Sequence, residues 1–402
     1  MKQGSMNLPG MLAELERQAQ MKKDYKMPAQ AIHMRDGGEY FDILSGSSIS
    51  GSAISGNTVS GSAVGGSAVS SSAVSGAYSA TADGSSRAEE VMTLRPTQLF
   101  HRQLASAMDV PAKYYDKMRE EAPELLTNTM NTWLARSNNS YMVRTMDYDD
   151  GRGQVARAFL SDRYRRIDNL EVAGSLLKLF LGMEGCEVVS NELSPSRLTL
   201  KLVFHTKTYE VKPGDIIEFG IVIMNSEVGL GAVGVYPFIN RLVCSNGMVC
   251  NELGKRKHHV GRLIQADEDS YELYSDATLK AEDEVFLSKL QDVARAAMDE
   301  ARYPMIVDKL KESTTAKITG AVPEVVELTA KNYGLRKQET DNVLRYLIEG
   351  GDLSLYGLSN AVTRMSQDSE SYDRATDLET IGWNIATMPG EQWRSINRGR
   401  LG

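Results

Sequence analysis

"RLTLKLVFHTKTYEVKPGDIIEFGIVIMNS" (residues 197–226) is the stretch on which the fold turns. In its first part Leu198, Leu200, Leu202 and Phe204 alternate with Arg197, Thr199, Lys201 and Val203. Successive side chains of an extended chain point to opposite faces, so this pattern predicts a strand with one apolar face. The second part, "TYEVKPGDIIEFGIVIMNS", reads as strand, Pro/Gly turn, strand. "CEVVSNEL" (186–193) before it is another strand, and the largely apolar, β-branched "NSEVGLGAVGVYPFINRLVCSNGM" (225–248) after it one more. Within that last stretch Asn246-Gly247 is a type I′ hairpin signal. Closely spaced strands with short turns predict a mainly antiparallel central sheet carrying flanking helices, an α+β fold.

Working outward toward the N-terminus, "YMVRTM" and "QVARAFL" are short strands joined by the turn "DYDDGRG", and Asp168 or Asn169 caps a helix reaching about Met183. Residues 94–134 place Leu99, Leu104, Ala105, Met108, Tyr115 and Met118 at helical spacing, interrupted at Asp109–Pro111. An αα-hairpin fits this better than a DNA-reading helix-turn-helix, because Lys113, Lys117 and Arg119 are offset by Glu120, Glu121 and Glu124. A polar helix is expected around "MLAELERQAQMKK", with Lys22, Lys23 and Lys26 near its end.

Residues 45–88 form a Ser/Gly/Ala tract with Ile49, Ile54, Val59, Val64, Val69 and Val74 on a five-residue period. A solenoid needs about three repeats to stabilise itself, and the six pentads from Ile49 to Tyr78 make under two square coils of roughly 20 residues each, so a spacer is expected. Toward the C-terminus, Phe286, Leu290, Val293, Ala297 and Met298 mark an amphipathic helix, followed by helices near 323–333, 338–349, 355–367 and 370–387. Four regions result: an N-terminal helical segment (1–44), the pentad-repeat insertion (45–88), an α+β core (89–269) and a helical C-terminal region (270–402).

The chain has 402 residues, a formal net charge of −8 and three cysteines, Cys186, Cys244 and Cys250. That charge excludes a protein coated in basic residues, although a local basic groove acts within about a Debye length, roughly 10 Å. The cysteines lack metal-ligand spacing, no apolar run approaches the roughly 20 residues of a membrane span, and no signal-peptide core is visible. A reduced, cytoplasmic setting is expected, without a membrane.

Residues 140–265 hold 16 Lys/Arg against 14 Asp/Glu, so the chain's acidity lies elsewhere. If the strand faces coincide, Arg144, Arg157, Arg197, Lys201 and Arg241 line one side of a sheet. The loops add Arg163, Arg165, Arg166, Lys255, Arg256, Lys257 and Arg262, while Tyr164, with Tyr141 and Tyr236, offers rings for base stacking. A solvated outer face is the competing reading. There is no Walker A sequence, no GxGxxG between strand and helix and no GxSxG elbow. His258-His259 with Cys244 and Cys250 fits no usual zinc scheme. Asp162, Asp168 and Glu227 could hold Mg²⁺ only if the fold converged them; no cofactor or metal is expected. Glu227, Asn225, Asn246 and Arg241 are polar groups inside an apolar stretch, which cost free energy when buried unless paired.

"AFLSDRYRRIDN" (158–169), "MNSEVGLGAVGVYPFINRLVCSNGM" (224–248) and "HVGR" (259–262), with "LFHRQLASAMDVPAKYYDKM" upstream and "GDLSLYGLSNAVTRMSQDSESYDRATDLE" downstream, resemble the phage- and plasmid-borne family known as domain of unknown function 932. The resemblance implies a mobile-element origin and a setting among replication, recombination or anti-restriction functions. It matches Arg144, Ser161 to Tyr164, Asp168, Asn169, Asn225 to Glu227, Gly229, Arg241, Cys244, Asn246, Gly247, His259 and Arg262. The expected function is non-enzymatic binding of single-stranded or recombining DNA, with strand annealing by a homo-oligomer as a concrete form. The alternatives are a protein that inhibits a host defence or restriction system, and a metal-dependent enzyme acting on nucleic acids or nucleotides.

Overall fold

The structure is a computed structural model that describes residues 2–44, 91–148, 151–243, 246–251, 255–257 and 276–399. The pentad-repeat tract therefore lies outside the described residues. Two compact units divide the chain: Arg17–Tyr164 forms one, and Met1–Glu16 with Arg165–Gly402 forms the other. The division at residue 165 falls inside the stretch 89–269 that reads from sequence as a single α+β core.

Helix α1 (Leu8–Met21) begins in the second of these units and ends in the first. The Arg17–Tyr164 unit continues with strands β1 (Lys22–Pro28), β2 (Ile32–Arg35), β3 (Tyr40–Leu44) and β4 (Val91–Pro96). Helices α2 (Gln98–Ala107), α3 (Ala112–Glu121) and α4 (Pro123–Arg136) follow, then β5 (Ser140–Tyr148) and β6 (Gly153–Ser161). The strands form one sheet in the order β1-β5-β6-β4-β3-β2, antiparallel except for the β4–β6 pair. Residues 22–44 are thus strands where a helical segment was expected, and Lys22, Lys23 and Lys26 lie on β1. "KKDYKMP" is a polar strand with no apolar alternation to betray it, at the end of its sheet among the described residues, where lysines and a proline are commonly found.

The core of this unit packs Phe41, Ile43, Leu94, Val143 and Phe159 of the sheet against Phe100 and Leu104 of α2, Met118 of α3 and Leu126, Met130 and Leu134 of α4. Thr97 caps α2, its hydroxyl accepting from the Phe100 amide. The α2–α3 turn needs a left-handed residue, and Asp109 supplies it at φ 53°, a conformation its short polar side chain tolerates. The helical hairpin read from sequence is present.

The other unit contains α5 (Asn169–Phe180), β7 (Cys186–Leu193), β8 (Leu198–Lys212), β9 (Asp215–Asn225), β10 (Val233–Arg241), β11 (Asn246–Val249) and β12 (Lys255–Lys257). Helices α6 (Asp276–Ala297), α7 (Tyr303–Thr315), α8 (Val322–Tyr333), α9 (Lys337–Gly350), α10 (Leu355–Met365), α11 (Tyr372–Ala386) and α12 (Gly390–Asn397) complete it. The antiparallel sheet runs β11-β10-β9-β8-β7, with β12 also on β10. Pro213-Gly214 makes the β8–β9 turn, with Gly214 at φ 82°. The chain is α+β with mainly antiparallel sheets and a helical C-terminal region, as its strand spacing predicts.

Leu198, Leu200, Leu202 and Phe204 do share one apolar face; with Ile221, Ile223 and Val235 they pack on Val172, Leu176 and Phe180 of α5 and on Phe286 and Leu290 of α6. The opposite face is no open surface, for Thr199, Lys201 and Val203 are all fully buried. The two-residue turn expected at Asn246-Gly247 is replaced by a longer one: Arg241 pairs with Asn246 and Asn240 with Gly247, which places both motif residues on β11. Gly247 is needed there because a Cβ would lie 2.6 Å from the Phe238 ring and 3.1 Å from a Glu379 carboxylate oxygen.

Candidate nucleic-acid interface and its polar support

Strand β6 ends in a turn fixed by its own polar atoms. The Tyr164 amide donates to the Ser161 carbonyl at 2.9 Å, and the Arg163 amide to the Ser161 hydroxyl at 3.2 Å. The chain then runs without regular structure through Arg165 and Arg166 to α5. Arg163 is exposed; Tyr164, Arg165 and Arg166 are half-buried. The Arg165 guanidinium carbon stands 5.5 Å from the centroid of the Phe286 ring, a cation–π distance.

The segment that follows is held from beneath by the polar residues of the 225–227 motif. Asn225 donates through one amide nitrogen to the Ile167 carbonyl (3.2 Å) and to the Asn169 side-chain oxygen (2.8 Å). Glu227 accepts from the Asn169 backbone amide at 2.7 Å. Ser226 donates to the Ser196 carbonyl at 2.8 Å and accepts from the Leu230 amide at 3.1 Å. Asn169, Asn225, Ser226 and Glu227 are at most 3% exposed, and Ile167 seals the loop into the apolar core. Glu227 sits at the N-terminus of α5, where unpaired amides and the helix dipole favour a carboxylate. Asp168 forms a capping box with Glu171 at the same helix end.

That arrangement answers what the motif's polar residues are for. Each hydrogen bond contributes about 1 kcal/mol net, and one to a buried charge about 1.5–3, so together they fix one backbone path from Ile167 into α5. The same arrangement gives Asp168 and Glu227 structural work. Among the described residues no group of three or more His, Cys, Asp or Glu could hold a metal ion.

The strand-borne cations have a different fate from the one their alternation suggested. Arg144, 1% exposed, pairs with Asp24 through two hydrogen bonds of 2.9 and 3.0 Å across β1 and β5. Lys201, fully buried, lies 2.5 Å from Glu379 of α11 and 4.8 Å from the centroid of Tyr372. Arg241 pairs with Asp215 at 2.6 and 2.7 Å, and Tyr356 donates to the same carboxylate. These three are structural ion pairs and not the DNA contacts expected from sequence: Arg144 and Lys201 are buried charges, which persist only when paired, and Arg241, 12% exposed, is held by the buried Asp215. Arg197 reaches Asp377 at 3.6 Å and stays partly exposed. Arg157 is half-buried on β6, where it is the extra residue of a bulge facing Arg144 and Thr145 of β5.

Nor do the basic strands form one lined sheet: Arg144 and Arg157 belong to one sheet, Lys201 and Arg241 to the other. Tyr141 and Tyr236 are both buried, Tyr141 with its ring 4.4 Å from Phe159, so neither offers a face to a base. Lys255, Arg256 and Lys257 belong to β12 by their backbone pairing with β10; their side chains, and Cys244, His258, His259 and Arg262, lie outside the described residues. Among the described residues no helix is long and apolar enough to cross a membrane. No family model, curated protein or solved structure matches this chain.

Proposed function

We propose that the protein binds single-stranded DNA through Arg163, Tyr164, Arg165 and Arg166, in the setting of phage or prophage DNA metabolism. The observation that carries this reading is the buried support described above: Asn225 and Glu227 fix Ile167 and Asn169, the residues that immediately follow in sequence a stretch with three arginines and a tyrosine. Guanidinium groups meet phosphates bidentately, and a tyrosine ring stacks on any base without regard to sequence. A preorganised segment of this kind limits the ordering cost of binding. Annealing of complementary strands would follow if several chains assembled along one strand.

The test is binding of a labelled oligonucleotide by the full chain across a salt series. The affinity of a single strand falls with salt by roughly 0.7 log units per log unit for each phosphate neutralised. Replacing Arg163, Arg165 and Arg166 by alanine should weaken binding and reduce that slope by about two. Absence of binding at low salt rejects the proposal, and capture of a single protein from a host lysate without nucleic acid favours the defence-inhibitor alternative.

A further inference from the structure

His205 lies on β8 where its pairing with β9 shifts register, between Val203 and Thr208. Its ring is held from both sides. Nδ1 stands 2.8 Å from an oxygen of Glu218 on β9, and Nε2 stands 2.9 Å from an oxygen of Glu187 on β7. The second Glu218 oxygen accepts from Asn240 of β10 at 2.9 Å, so one chain of side chains crosses four strands. The His205 amide also donates to the Gly185 carbonyl at 2.9 Å, just before β7 begins.

The chemistry of the two contacts fixes the protonation state. An ionised carboxylate only accepts, and a neutral imidazole carries one N–H. Both contacts can be hydrogen bonds together only when both ring nitrogens are protonated. The two carboxylates are unlike. The Glu218 side chain is 7% exposed and has a second partner, whereas that of Glu187 is 65% exposed. When the imidazole loses a proton, the contact that yields is the one to Glu187, which water can replace at little cost. The contact to Glu218 stays, since an unpartnered buried acceptor is costly.

We propose that His205 is a proton-operated latch on the edge strand β7: doubly protonated, it fastens Glu187 to the β8–β9 pair, and singly protonated, it lets the first residues of β7 open. Among the described residues, strand β7 is the end of its sheet. Its far end is tied separately, by Ser5 donating to Glu192 and Ser190 donating to the Lys2 carbonyl. The latch therefore acts on residues near 185–188 and leaves the rest of the strand paired.

The charged groups acting on the ring are Glu218 and Glu187, and both hold its pKa above the ordinary histidine value against a smaller opposing effect of burial. Lys207, two residues along, is engaged with Glu300 at 2.5 Å. A histidine whose folded pKa is raised contributes stability that is complete below about pH 6.5, its unfolded value, and lost as pH rises through the folded pKa.

The test combines imidazole NMR titration with hydrogen exchange of peptides spanning 184–190, corrected for the intrinsic pH dependence of exchange. His205 should titrate above its free value. Protection of 184–190 should fall several-fold through that same pH range, while β9 keeps its protection. The surface variant Glu187→Gln should fold normally, titrate lower at His205 and show weak, pH-independent protection of 184–190. An ordinary His205 titration, or protection of 184–190 with the same pH profile in the wild type and Glu187→Gln, would overturn the latch.

Discussion

Lys201 and Arg241 belong to one sheet yet point to opposite faces of it. Lys201 is in register with Val222, and Val222 with Tyr236, whereas Arg241 is in register with Ile217. Odd and even positions of a strand face opposite ways, so the two cations cannot line a common trough. Each instead meets an acid brought by the fold: Glu379 from α11 for Lys201, and Asp215 at the start of β9 for Arg241. Arg144, Lys201 and Arg241 hold the protein together as ion pairs, and the irregular Arg163–Arg166 segment is the contact with nucleic acid proposed above.

Removing one partner of the Lys201–Glu379 pair should be severe. Glu379→Ala leaves a fully buried ammonium group without its acid, and single loss of a buried partner costs about 3–5 kcal/mol. The double variant Lys201→Met/Glu379→Leu should recover most of that. Urea denaturation midpoints check both, and a double variant no more stable than the single one would contradict the assignment.

The Arg144–Asp24 pair should behave alike in the other unit. Asp24→Asn keeps the shape but removes the charge facing a buried guanidinium, and a loss of about 3 kcal/mol is expected. Thermal unfolding of the variant measures it; a change under about 1 kcal/mol would mean that the pair contributes no more than a surface salt bridge.

Glu227→Gln and Asn225→Ala should weaken DNA binding without touching DNA. Each loosens the Ile167–Asn169 segment, at a stability cost of about 1–3 kcal/mol. Oligonucleotide affinity should drop several-fold in variants that remain folded by circular dichroism. Unchanged affinity in a folded Asn225→Ala protein would separate the motif from the binding segment.

His101 gives a pH dependence of opposite sign to that of His205. It is buried between helices α2 and α3, 2.7 Å from the Tyr115 hydroxyl, and burial together with nearby Arg119 lowers its pKa to about 4. The unfolded chain therefore binds a proton that the folded one refuses. Stability is fully present above about pH 6.5 and declines as pH falls toward 4, by on the order of 3 kcal/mol at 1.36 kcal/mol per pKa unit. Denaturant titrations of wild type and His101→Gln between pH 7 and 4 check this, and equal slopes would count against it.

What the sequence disclosed follows from its periodicities. Strand alternation at 197–204 and the C-terminal helices were legible because each buries an apolar stripe of fixed period, and the hairpin at Pro213-Gly214 because its turn residues mark it. The polar edge strand β1 carried no such stripe, and nothing local marks the switch from helix to strand at Lys22. At the candidate site the signal was the presence of Asn225 and Glu227 in an apolar stretch, which rightly marked them as groups that must find partners; Ser226 was not marked in this way, although it too is buried and hydrogen-bonded. The partners themselves, Ile167 and Asn169, lie more than fifty positions away. The acids that neutralise Arg144, Lys201 and Arg241 come from as far as α11, so alternation alone could not tell a basic outer face from a buried ion pair.

The most direct measurement is photo-crosslinking of the full chain to a single strand carrying 5-bromodeoxyuridine, with the adduct located by mass spectrometry after cleavage by a protease that spares arginine. The account predicts an adduct at Tyr164 or an immediate neighbour, lost when Arg163, Arg165 and Arg166 are replaced by alanine. Adducts confined to other segments, or equal crosslinking by the triple variant, would contradict it.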